Sequence, residues 1–116
     1  MVNTKIIADL PIELGIKRTY KGYFFLIAAL ELAITDQKNL LYMSKSIFPV
    51  IAARYGTTYS CIERNIRTAI NACWNSPNRE KLLTMSPYPL PKAPSVTAFI
   101  DILYCYLKNQ EGGSLY

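Results

Sequence analysis

The sequence predicts an all-α fold in a single domain, and three runs of residues carry that prediction. Residues 59–74 place apolar side chains at Ile62, Ile66, Ala69, Ile70, Cys73 and Trp74, a spacing of i, i+4, i+7, i+8, i+11 and i+12 that gathers them on one side of a helix. Residues 21–37 centre on FFLIAALELAI, apolar nearly all round, the pattern of a helix in the middle of a domain. Residues 96–107 repeat apolar positions at Val96, Phe99, Ile100, Leu103, Tyr104 and Leu107. A chain of 116 residues, 51% hydrophobic and 18% charged, suits one packed domain and excludes intrinsic disorder.

In chain order, Asp9 and Pro11 read as start signals of a short opening helix that Gly15 stops. The helix over 21–37 follows. Residues 40–47 form a third, which ends near Phe48 because the residue before Pro49 is pushed out of the helical region. Pro49 then opens a fourth helix, PVIAARY, stopped by Gly56. After the turn Gly56-Thr57-Thr58 comes the helix 59–74, capped either by Thr58 or through the box Ser60-Cys61-Ile62-Glu63. Short helix, glycine turn and amphipathic helix follow each other in the order of a helix-turn-helix. Pro87, Pro89, Pro91 and Pro94 make 86–94 an extended surface loop, ahead of the last helix at 96–107. The tail 108–116 is expected to fray, while Trp74 and the helix around 24–32 are expected to be buried.

Composition excludes several chemistries. With no histidine there is no Ser-His or Cys-His unit, no imidazole base and no histidine metal ligand, so no enzyme, metal or cofactor is expected. Cys61, Cys73 and Cys105 are odd in number and contain no CxxC pair. They fit a reducing cytoplasm, each thiol serving as a small buried apolar group. The apolar stretch 23–34 is too short to cross a bilayer and carries Glu31, and the N-terminus lacks the regions of a signal peptide. A cytoplasmic location without membrane attachment is the expectation.

The charge is basic, 13 Lys and Arg against 8 Asp and Glu, which favours an anionic partner, nucleic acid first. The excess lies on residues 42–81, where Lys45, Arg54, Arg64, Arg67, Arg79 and Lys81 face only Glu63 and Glu80. Advancing about 100° per residue puts Ser60, Glu63, Arg64, Arg67 and Asn71 on one arc of the helix 59–74, nearly opposite its apolar side. Arginine forks, a carboxylate and an amide are the groups that read major-groove base edges. Glu63 and Arg67 also fit an ordinary i, i+4 ion pair on a solvated face.

The stretches Leu14-Gly15-Ile16, Lys21-Gly22-Tyr23, Ile47-Phe48-Pro49, Ile51-Ala52, Thr57-Thr58, Lys92-Ala93-Pro94-Ser95 and Phe99-Ile100 resemble one known domain. The run Ile62-Glu63-Arg64-Asn65-Ile66-Arg67-Thr68-Ala69-Ile70 through Trp74, an ERxIRxAIxxxW motif, resembles it most strongly. It is the C-terminal DNA-binding domain of the master response regulator that initiates sporulation in endospore-forming Firmicutes. The resemblance implies a compact six-helix domain containing a helix-turn-helix that binds boxes similar to TGTCGAA, often in tandem. It places Glu63, Arg64 and Arg67 in the major groove. Cys61 and Thr68 stand where the family usually has arginine and histidine, which removes one positive charge and one contacting group. Whole family members also carry a receiver domain, for which this chain has no length, so a free-standing or excised effector domain is expected.

The reading that follows is a non-enzymatic, sequence-specific DNA-binding regulator. Glu63, Arg64 and Arg67 are its base-reading residues. Ser60, Thr68 and Asn71 contact base or backbone, and Thr57, Thr58, Lys45, Arg54 and Arg79 contact the DNA backbone. Double-stranded DNA is the expected partner, with RNA polymerase contact and self-association on tandem boxes as further expectations. The alternative is a protein-interaction module that keeps the fold without reading DNA and acts on a full-length regulator or on RNA polymerase.

Overall fold

Asn3 opens the first helix by accepting the Ile6 amide on its side-chain oxygen at 2.9 Å. A computed structural model of the chain describes residues 3–112, with side chains for residues 3–110. Helix α1 spans Thr4–Glu13, so the start expected at Asp9 and Pro11 is too late: the asparagine cap lies further upstream, and Pro11 sits inside the helix. Gly15 stops it as expected, at φ +83°, and the Ile16 amide closes the end on the Pro11 carbonyl at 3.0 Å.

Helix α2 spans Lys21–Thr35. It ends short of residue 37 because Asp36 is extended and turns its carboxylate onto the Lys38 amide, starting the 3-10 turn Gln37–Leu40. The third helix expected over 40–47 is broken: Tyr42, at φ −140°, separates that turn from the single-turn helix α3, Met43–Ser46. Helix α4 spans Phe48–Tyr55 and takes in Phe48, which the proline rule had placed outside. Ile47 and Phe48 are both sealed in the core, and that packing overrides the local preference of the residue before proline. Gly56 then ends α4 at φ +60°, a left-handed conformation that suits glycine and that other residues adopt at a cost of about 1–2 kcal/mol.

Helix α5 spans Tyr59–Trp74, as the periodicity predicts. Thr58 is its cap, accepting the Cys61 amide at 3.2 Å, and the competing box at Ser60 is not used. Helix α6, Arg79–Met85, has no counterpart in the sequence reading, since a short helix with Leu82 as its one buried residue has no period to detect. Helix α7, Val96–Gly112, continues past Leu107. Of the expected tail, 108–112 is helical because no helix breaker occurs before Gly112, and 113–116 lies outside the described residues.

Six of these helices have at least seven residues, and no strand occurs among the described residues. Helix α2 is the hub, packed against α1, α4, α5 and α7. Leu26 and Leu30 of α2 share the core with Ile51 of α4, Ile62 and Ile66 of α5, and Phe99 and Leu103 of α7. At Gly22 the backbones of α2 and α5 come so close that an added Cβ would collide with the Asn65 carbonyl. Two burial expectations fail. Phe24 is 46% exposed, because it lies on the side of α2 that lines an open groove with Tyr55 and Gly56. Trp74 is only half-buried, since it ends α5 at the rim of the core under the Arg79 side chain.

Candidate nucleic-acid interface

Helix α5 divides lengthwise. Ile62, Ile66, Ala69, Ile70 and Cys73 are buried, and Ser60, Arg64, Arg67, Thr68 and Asn71 are exposed. The helix is held by its apolar side against α2, α4 and α7, so the polar side faces outward. Among the described residues Ser60, Arg64 and Asn71 make no side-chain hydrogen bond or ion pair, which leaves their donors and acceptors available to a ligand.

Four of the expected contact residues, Glu63, Arg67, Thr68 and Thr58, are committed elsewhere in part. The Arg67 guanidinium lies 3.5 Å from the Glu63 carboxylate, with both side chains about half exposed. A pair that long and wet contributes only about 0.3–0.5 kcal/mol, so a stronger acceptor displaces it. The Thr68 hydroxyl donates to the Arg64 carbonyl at 3.0 Å. Its proton is thereby engaged, and toward a ligand the oxygen acts as an acceptor. Thr58 is engaged as acceptor by the Cys61 amide, so its own O–H remains free to donate.

The expected backbone-contacting residues do not form one cluster. Thr57 and Thr58 flank the start of α5, and Arg54 lies in the last turn of α4 just before them. Lys45 is exposed on α3, which packs on α4 and the preceding turn. Arg79 stands at the far end of α5, its guanidinium 5.1 Å from the centre of the Trp74 ring. With a rise of about 1.5 Å per residue, the 16 residues of α5 separate that end from the Thr58 cap by about 24 Å.

Lys21 was missed by the sequence reading. It is the first residue of α2, exposed, and it borders a concave groove with Tyr55, Gly56, Thr57 and Cys61. No local signal links Lys21 to residues 55–61, which the packing of α2 against α5 brings together. The Cys61 thiol records the field at that spot. Its pKa is lowered, first by the Thr57 hydroxyl beside its sulfur and then by the Arg64 and Lys21 cations and the Asn65 amide, against the opposing effect of burial. Cys61 and Cys105 are half-buried, so of the three thiols expected to be buried only Cys73 is. Cys61 lies at the edge where the polar arc meets α2, and Cys105 is left partly open on α7.

The geometry is thus that of a capped amphipathic helix behind a three-residue turn, with a basic, outward-facing arc. No helix among the described residues is long and apolar enough to cross a membrane. Comparison with known protein families matches residues 7–107 to the one described as sporulation initiation factor Spo0A C terminal, from the middle of α1 into α7. Nearly the whole fold is covered by that match. The chain therefore belongs to the Spo0A C-terminal family, DNA-binding domains of transcription regulation in sporulation.

Proposed function

We propose that the domain lays the polar side of α5 in the major groove, with Arg67, Arg64 and Glu63 on the base edges of a TGTCGAA-like box. The observation that carries this reading is the division of α5 into a buried apolar side and an outward-facing polar side on which Ser60, Arg64 and Asn71 are without partners and Arg67 is held only by a long pair with Glu63. Arg64 and Arg67 supply planar forks that fit the paired O6 and N7 acceptors of guanine, and Glu63 accepts from a cytosine amino group. Thr68, its proton held by the helix, meets an amino group on a base better than it meets a phosphate. Ser60 and Asn71 take either base or backbone. Thr57, Thr58 and Arg54 hold the phosphates beside the turn, and Lys45 and Arg79 hold those further out.

Selection of bound sequences from a random duplex library tests the reading, and enrichment of one box is the expected result. Arg67→Ala should then lose about 1–3 kcal/mol of discrimination at one base pair while melting nearly as wild type does. Arg67→Lys should recover only part of that loss, because an ammonium cannot reproduce the fork. No enriched box, or an Arg67→Ala variant with full discrimination, would reject the assignment.

A further inference from the structure

We propose that Lys21, on the central helix and outside the helix-turn-helix, holds one phosphate of the DNA backbone in the groove it shares with Tyr55, Gly56 and Thr57. This rests on the DNA reading above and adds a contact to it. The groove encloses about 310 Å³ between the first turn of α2 and the turn that precedes α5. Lys21 has no ion-pair partner among the described residues, so its charge is uncompensated by the protein. Gly56 has nothing within 4 Å of where its Cβ would be, which leaves that side of the groove open to a passing strand. Thr57 is half-buried on the same wall. The exposed faces of Phe24 and Tyr55 form an apolar flank against which a deoxyribose can rest.

The position of Lys21 is also fixed. Its neighbour Gly22 is pressed against the Asn65 carbonyl, which locks the first turn of α2 to the second turn of α5. Around the α5 circumference, Arg64, Thr68 and Cys61 follow one another at about 100° per residue spacing, and Lys21 lies beyond Cys61 at the α2 edge. The cations of Lys21 and Arg64 both act on the Cys61 sulfur, so the two helices present positive charge to one spot. A strand crossing the start of the reading helix meets Arg64 on one side of that spot and Lys21 on the other.

The test compares wild type with Lys21→Gln and Lys21→Arg on a duplex carrying the selected box, across a series of salt concentrations. Losing one phosphate contact should flatten the slope of log affinity against log salt by about 0.9 and weaken binding about fivefold at roughly 0.15 M salt. Single-base variants of the box should be discriminated as in wild type, and Lys21→Arg should restore the slope. A scan with one neutral methylphosphonate at a time locates the contact. Wild type should be sensitive at one position where Lys21→Gln is not. Thermal melts of all three should coincide, because Lys21 is exposed. Wild-type binding with an unchanged slope in Lys21→Gln, or an altered base preference, would overturn the Lys21 assignment alone. A wild type that binds no duplex would overturn the DNA reading itself.

Discussion

Cys61 and Cys73 lie on one helix, yet the fold gives their thiols opposite chemistry. Burial pushes Cys73 from the ordinary thiol value of 9.0 up to about 11, whereas the Thr57 hydroxyl and the nearby cations lower Cys61. In the folded protein at about pH 8, iodoacetamide should therefore modify Cys61 well before Cys73, and Thr57→Val should slow the reaction at Cys61. Mass spectrometry of timed samples reads both, and equal rates would contradict the burial of Cys73. The raised pKa of Cys73 has a sign for stability as well. Between about pH 9 and 11 the unfolded chain releases that proton while the folded chain keeps it, so stability falls as pH rises through the window. Chemical denaturation of wild type and Cys73→Ala across that range should show the steeper decline in wild type. The sequence marks Cys73 as apolar through its place in the period of α5, but the lowering at Cys61 comes first from the way the fold sets the Thr57 hydroxyl beside its sulfur, then from Arg64, and in smaller part from Lys21, 40 positions away.

At the scale of elements, the crossing of α2 and α5 fixes how the polar arc is presented. Gly22→Ala should be destabilising even though alanine favours helices by up to about 1 kcal/mol, because forcing a Cβ against the Asn65 carbonyl costs about 1–3 kcal/mol. Its melting temperature should fall, and a rise would mean that the two helices separate freely. Ile66→Asp, on the buried side of the same helix, should cost about 4 kcal/mol or more by placing an unpaired carboxylate in the core. The elements that were legible in the sequence are those with a long period or an unambiguous stop, such as the span of α5 and the end of α4 at Gly56, while the choice of Thr58 over the Ser60 box as the α5 cap is settled only by the fold, where the Cys61 amide bonds the Thr58 hydroxyl. Those that were not have their causes outside the pattern. Asn3 caps α1 from beyond the expected start, Tyr42 breaks the third helix, and α6 is too short to show a period. Of the candidate interface, the polar arc could be read because it repeats along one helix. The groove at Lys21 could not, because two distant segments build it.

At the scale of the whole molecule, the positive charge surrounds the proposed DNA-facing side unevenly. Arg54→Ala should weaken binding about equally for all sequences and flatten the salt slope by about one unit. Arg79→Ala separates two roles, since its side chain also lies over Trp74. A flattened slope identifies a phosphate contact, while a change confined to tryptophan fluorescence and a small loss of stability, about 0.5–1 kcal/mol, identifies a purely structural cation–π contact. The lengthwise division of α5 has a consequence for how such a domain diversifies. Ile62, Ile66, Ala69, Ile70 and Cys73 hold the fold together, and none of them belongs to the exposed set Ser60, Arg64, Arg67, Thr68 and Asn71. Changes in the exposed set therefore leave the core untouched, and mutations there act nearly independently of those that tune stability. Substitution of an exposed residue such as Thr68 is then the kind of change this architecture tolerates without refolding, because the buried set that seats α5 is unchanged.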